Sequence, residues 1–195
     1  MAVEKFSFGQ METFAVEISA PLSGRVDGVP NSRSRLLGSY QIWIGGGAYC
    51  ELSTPQSVVE FVLTLELLWH RGLRRHCAVS GDATNLFWYI RALGQLDDRF
   101  LTDEQVAARS ARYRGFRVFP SLSGFNDVVA FSLETPDPRI LSLRERGGPV
   151  IETPVPSGVL ADASDAMQAW LAEVEEKWKE RFGDDPHFVP PEDEG

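Results

Sequence analysis

The sequence contains few of the residues that form metal sites or disulfide frameworks. Only two cysteines and three histidines occur among 195 residues. Cys50 and Cys77 form no CxxC pair, so we expect two reduced thiols, although the sequence leaves a bond between them open. His70, His76 and His187 show neither an HExxH motif nor zinc-knuckle spacing. We therefore expect no metal site and no cofactor.

Long apolar runs are absent as well. The most apolar stretch, 58–69, is interrupted by Glu60, Thr64 and Glu66. It is shorter than the ~20 apolar residues that cross a bilayer. The first ten residues lack the apolar segment of a secretory signal peptide. These two absences predict a cytoplasmic protein without a membrane partner.

Basic residues are outnumbered by acidic ones. The chain has 19 Lys and Arg residues against 28 Asp and Glu residues, which gives a formal net charge of -9. Residues 183–195 contain five carboxylates and no Lys or Arg, so we expect a mobile acidic tail behind a single globular domain, 1–182. An acidic body repels nucleic-acid phosphates and attracts a basic protein. Nucleic acid is therefore not the expected partner.

Motifs for nucleotide binding and covalent catalysis are also absent. The chain contains no GxGxxG, no GxxxxGK[ST] and no GxSxG. Adjacent His76 and Cys77 cannot easily orient toward each other as base and thiol. Neighbouring acids such as Asp97 and Asp98 are typical of solvated turns, and a catalytic pair would have to come from distant positions. We therefore expect a protein that is not an enzyme.

Apolar periodicity predicts an α+β fold with antiparallel strands. The predicted strands are 13–19, 39–44, 48–51, 116–119, 127–133, 139–143 and 149–153. Glycines 45–47 predict a hairpin turn, because glycine adopts positive φ without cost. The later connections are too short for a parallel return and predict a meander. We expect strands from both halves to form one sheet, with 21–35 as a loop.

The most apolar helix is predicted from its start signal. Thr54 can cap a helix that has Pro55 at its first position, where the missing N–H is not needed. Over 55–71 apolar side chains fall on nearly every face, and Gly72 is expected to end the helix. A helix that is apolar all round is predicted to be buried centrally.

Three further helices are predicted. The segment 86–93 precedes a glycine and favours a short helix over a strand. Thr102 and Gln105 have capping-box spacing and open a helix that Gly115 is expected to end. The apolar stripe of 164–182 predicts a C-terminal amphipathic helix. We expect the sheet to pack against the central apolar helix and this C-terminal helix.

Two groups of basic residues are candidates for a phosphate-binding patch. They are Arg71, Arg74, Arg75 and His76, and Arg109, Arg112, Arg114 and Arg117. A shared face beside the aromatic residues 88–89 would suit nucleic acid, but the same arginines can pair with nearby carboxylates. The alternatives to a protein-binding role are therefore a nucleic-acid accessory protein and a small enzyme with a site assembled from scattered residues.

Several segments resemble bacterial polymorphic-toxin immunity proteins. The segments are 14–18, 38–46, the capped helix that follows, 125–131, 139–142 and 156–158. The resemblance implies a cytosolic protein that binds a cognate toxin and blocks its catalytic domain, and it carries over no catalytic residue. Acidic groups facing a basic toxin would raise the association rate, and aromatic side chains would supply affinity.

The candidate partner-binding residues are acidic and aromatic. We predict Asp97, Asp98, Asp103 and Glu104 as steering charges, with Trp88 and Tyr89 as anchors. The sequence leaves the oligomeric state open.

Overall fold

Helices and antiparallel strands make up the fold, as predicted. The computed structural model describes residues 4–21, 25–26, 29–30, 36–49, 56–69, 77, 81–95, 98–120, 128–134, 137–144 and 148–184. The strands are β1 (Glu4–Gln10), β2 (Phe14–Ala20), β3 (Arg25–Val26), β4 (Val29–Pro30), β5 (Leu37–Ile44), β6 (Gly47–Tyr49), β7 (Gln56–Ser57), β8 (Val129–Leu133), β9 (Arg139–Leu143) and β10 (Ile151–Pro154). The helices are α1 (Val58–Trp69), α2 (Ala83–Leu93), α3 (Asp103–Phe116) and α4 (Val159–Phe182).

The first sheet comes from the N-terminal part of the chain. Its order is β1-β2-β5-β6, and β7 pairs with the start of β5. Gly45 and Gly46 have φ values of 57° and 76°, which confirms the predicted glycine turn between β5 and β6. Strand β1 was not predicted, because Phe8 is its only buried residue and its apolar alternation is short.

The second sheet is the predicted meander, with the order β10-β9-β8 and antiparallel pairing throughout. The expectation of one sheet with strands from both halves is wrong, because β8, β9 and β10 form a sheet of their own and β1, β2, β5, β6 and β7 form another. The expected strand 116–119 is also wrong, since Phe116 ends α3 and Arg117 makes only an isolated bridge to Phe131. Strands β3 and β4 form a small hairpin within the predicted loop 21–35.

Helices α1 and α4 cover the inner face of the first sheet. Phe14 meets Trp69 of α1 edge to face at 5.4 Å between ring centroids, and Phe6 of β1 lies 4.8 Å from Trp170 of α4. The indole Nε1 of Trp69 donates to the carbonyl of Val118 at 2.9 Å. The predicted packing of the sheet against these two helices is therefore confirmed.

The second sheet is buried on both faces. On β8, Ala130 belongs to the cluster that contains α1 and α4, whereas Phe131 belongs to the cluster that contains α2. On β9, Ile140 belongs to the first of these clusters and Leu141 belongs to the second. Because successive side chains of a strand point to opposite faces, this sheet separates two hydrophobic clusters. It therefore links α2 and the end of α3 to the rest of the core.

Polar contacts join the two sheets. The hydroxyls of Tyr49 in β6 and Ser142 in β9 lie 2.9 Å apart in a buried hydrogen bond. The Nη2 of Arg144 donates to the carbonyl of Ala48 at 3.1 Å, and its guanidinium lies 4.5 Å from the Tyr49 ring centroid. A Cβ on Gly47 would lie 2.2 Å from Arg144 Nη2, so a larger residue at this position would require the Arg144 guanidinium to shift.

Helix α1 begins later than predicted. Gln56 and Ser57 pair with β5, so the chain is still extended there, and Ser57 Oγ accepts from the Glu60 N–H at 3.2 Å as the helix begins. The predicted signals Thr54, Pro55 and Gly72 lie outside the described residues. No helix in the described ranges is long and apolar enough to cross a bilayer.

The other helices follow their predicted signals more closely. The Thr102 capping box is confirmed, with Thr102 Oγ1 accepting from the Gln105 N–H at 3.3 Å and Gln105 Oε1 accepting from the Thr102 N–H at 3.0 Å. Helix α3 ends one residue beyond the break expected at Gly115, because the buried Phe116 is still part of the helix. Helix α4 begins at Val159 instead of Ser164, after Gly158 with a φ of 77°.

Candidate partner-binding surface

Helix α2 carries a tryptophan on its outer side. Asp82 caps the helix by accepting from the Asn85 N–H at 2.8 Å. Phe87 and Ile90 point into the second hydrophobic cluster, which fixes the rotation of the helix. Trp88 follows Phe87 and remains 48% exposed. The fold therefore presents a large aromatic surface to solvent from a helix whose opposite face is fully packed.

Two neighbours hold the Trp88 ring. The guanidinium of Arg91, one turn along the helix, lies 5.2 Å from the indole centroid, within the range of a cation–π contact. The Phe87 ring meets it edge to face, with centroids 5.4 Å apart and an interplanar angle of 86°. Because these contacts already restrict the side chains of Trp88 and Arg91, the two residues would lose less conformational entropy when a partner binds.

Tyr89 lies in a different environment from Trp88. Its side chain is partly buried and packs against the second hydrophobic cluster. Tyr89 therefore offers less of its ring to a partner than Trp88 does. Its predicted role as an anchor stays a prediction.

The predicted acidic residues separate into two places. Asp98 lies in a short 3₁₀ turn, Asp98–Phe100, and its carboxylate pairs with the guanidinium of Arg109 in α3. The Arg109 side chain is 13% exposed and that of Asp98 is 57% exposed. This ion pair confirms the expected pairing of an arginine with a nearby carboxylate. Asp97 lies outside the described residues.

Asp103 and Glu104 occupy the first turn of α3. Both are exposed. Carboxylates at this position interact favourably with the partial positive charge of a helix N-terminus, so part of their role is structural. Among the residues that the structure describes, no interaction joins either carboxylate to Trp88. The role of these carboxylates as steering charges beside Trp88 and Tyr89 stays a prediction.

The second arginine group does not form one basic face. Arg112 and Arg114 are both exposed, but two residues along an α-helix place them about 200° apart around its axis. Arg114 Nε donates to the Ser110 carbonyl at 3.3 Å, and Arg109 pairs with Asp98. The residues of the first group, Arg71, Arg74, Arg75 and His76, lie outside the described ranges.

Helix α1 exposes two leucines, although its apolar composition predicts a buried helix. Leu63 is 48% exposed and Leu67 is 54% exposed. The expectation that α1 is buried on all sides is therefore wrong for this face. The signal in the sequence was the polar line of Glu60 and Thr64, which marks the side facing solvent.

The described residues contain no group of three or more His, Cys, Asp and Glu residues that could hold a metal ion. Cys77 is buried and free, so it forms no disulfide, and Cys50 lies outside the described residues. No protein family, curated protein or solved structure matches this chain.

Proposed function

We propose that this chain is an immunity-type protein that binds a cognate bacterial toxin domain in the cytosol and neutralises it. The observation that carries the proposal is Trp88, which is held by Arg91 and is 48% exposed on the outer side of α2. Tryptophan and arginine are the residue types that most often dominate the binding energy of protein interfaces. A preorganised pair of this kind supports recognition of another protein.

The charge of the chain supports the choice of partner. The formal net charge is -9, and the carboxylates of Asp98, Asp103 and Glu104 are exposed beyond the end of α2. Negative potential accelerates the encounter with a basic protein and repels nucleic acid. The proposed partner is therefore a toxin domain with a basic surface, and its activity is blocked by occlusion without any chemical step in this chain.

Co-expression tests the proposal. A toxin encoded beside this chain should stop growth when expressed alone and should lose that effect when the chain is expressed with it. Trp88→Ala should abolish protection, whereas Ile151→Gln, at a residue that is 43% exposed on β10, should keep it. Failure to form a complex with any toxin encoded next to the chain would remove the proposal.

A further inference from the structure

The outer face of α1 combines apolar exposure with negative charge. Val58, Phe61 and Leu65 belong to the side of the helix that is fully buried against the core. At about 100° per residue, Leu63 and Leu67 lie on the opposite side and are one turn apart. Their exposures of 48% and 54% make a continuous apolar ridge along the middle of the helix.

This ridge differs from the other exposed apolar positions. Trp88 on α2 and Ile151 on β10 are each the single large apolar side chain that is exposed on its element among the described residues. Leu63 and Leu67 adjoin each other through helical spacing, so they can be covered by one apolar surface. Adjacent leucines of this kind are the usual contacts between two packed amphipathic helices.

Two carboxylates flank the ridge. Glu60 is exposed one turn before Leu63 on one side of the ridge, and Glu66 is partly exposed one turn after Leu63 on the other side. Within the described part of the chain, neither carboxylate forms an ion pair, and the last turn of α1 carries no basic residue. Both charged residues of α1 are therefore negative, and no described residue neutralises them.

We propose that this face of α1 docks a cationic amphipathic helix of a partner protein. The apolar side chains of that helix would cover Leu63 and Leu67, and its lysine or arginine side chains would meet Glu60 and Glu66. Charge complementarity selects this occupant, because a second copy of α1 would bring like charges to the same ridge. The proposal stands on α1 alone and is independent of the role of Trp88.

A peptide of defined composition tests the docking site. The probe is a fluorescein-labelled helix of about 15 leucines and lysines with leucines at i, i+3, i+4 and i+7 spacing, and the control peptide has alanine at each leucine position. Fluorescence anisotropy should show that the intact chain binds the probe more tightly than the control peptide. Equal affinities for the two peptides would show that the leucines of the probe do not contribute to binding, and this result would overturn the proposal.

Variants of the chain test whether the peptide binds at this face of α1. Leu63→Gln with Leu67→Gln keeps every charge and should weaken binding by at least about tenfold, the loss expected for central apolar contacts. Ile151→Gln is the matched control and should bind as the unchanged chain does. Glu60→Gln with Glu66→Gln should weaken binding and flatten its salt dependence. Equal affinity of the leucine variant and the unchanged chain would contradict the proposed site.

Light scattering tests whether a second copy of the chain covers this face of α1. The unchanged chain should have the mass of a monomer across the concentration range used for the peptide titrations. A dimer that is lost in the Leu63→Gln, Leu67→Gln variant would assign the face to a second copy of the chain and overturn the proposal. Circular dichroism spectra that match the unchanged chain would establish that each variant is folded.

Discussion

Removing the hydroxyl of Tyr49 tests how the two sheets are joined. Tyr49 is 3% exposed and Ser142 is fully buried, and their hydroxyls are 2.9 Å apart. In Tyr49→Phe the ring stays in place, and so does its contact with Arg144. The change therefore isolates one hydrogen bond between β6 and β9.

The expected cost follows from the burial of the group that remains. A buried hydroxyl left without a partner costs about 1–3 kcal/mol, which is more than the net value of about 1 kcal/mol for a typical hydrogen bond. We expect Tyr49→Phe and Ser142→Ala each to lower the free energy of unfolding by about 1–2 kcal/mol. The double variant leaves no hydroxyl unsatisfied, so its loss should be clearly smaller than the sum of the two single losses.

Urea unfolding of the four proteins in this cycle measures the coupling. For a chain of this size, each kcal/mol also corresponds to a shift of about 2–4 °C in Tm. Ser7→Ala, at an exposed serine of β1, is the control and should change stability by less than about 0.5 kcal/mol. If the single losses add in the double variant to within about 0.5 kcal/mol, the hydroxyls are not coupled and the proposed junction is refuted.

Changes at four further positions test local features of helices α2 and α3. Thr102→Ala should cost about 1 kcal/mol in urea unfolding through loss of the capping box, and Thr102→Ser should recover most of it; no loss would contradict the cap. Gly94→Ala should cost about 1–3 kcal/mol by the same measurement, because the new Cβ would lie 2.7 Å from the Tyr113 ring; a neutral result would show that the ring moves freely. Phe87→Ala should cost about 3–5 kcal/mol, because Phe87 is fully buried. Trp88→Ala should cost only about 1–2 kcal/mol in thermal unfolding, because it loses the contacts with Arg91 and Phe87 but leaves the core filled. Equal losses for Phe87→Ala and Trp88→Ala would show that Trp88 is a core residue.

Local signals in the sequence predicted much of the secondary structure. The turn at Gly45 and Gly46, the Thr102 capping box and the strand 139–143 each depend on interactions within a few residues. The arrangement of the two sheets depends instead on long-range contacts. One example is the hydrogen bond between Tyr49 and Ser142, which are 93 residues apart in the sequence. The apolar periodicity of a strand does not show which distant strands it pairs with. The single sheet expected from the sequence was therefore wrong.

The candidate binding surfaces were harder to predict from the sequence. The sequence predicts Trp88 as an anchor because it is an aromatic residue near a charged segment, and in the structure it is exposed on the outer side of α2. Leu63 and Leu67 were assigned to a buried helix, because composition shows how apolar a helix is but not how many of its sides have neighbours. In the structure α1 is covered by the first sheet and α4, which leaves the side of Glu60 without cover among the described elements.

Both proposed binding surfaces lie on helices whose opposite faces are fixed by the core. Phe87 and Ile90 hold α2 on the second sheet, and Phe61 and Leu65 hold α1 on the first. The second sheet links the two cores, since Ala130 and Phe131 face opposite sides of the same strand. A partner that binds Trp88 or the Leu63–Leu67 ridge therefore meets side chains whose backbone is already ordered. Binding then loses little backbone entropy, and this preorganisation favours recognition by rigid helical surfaces in this protein.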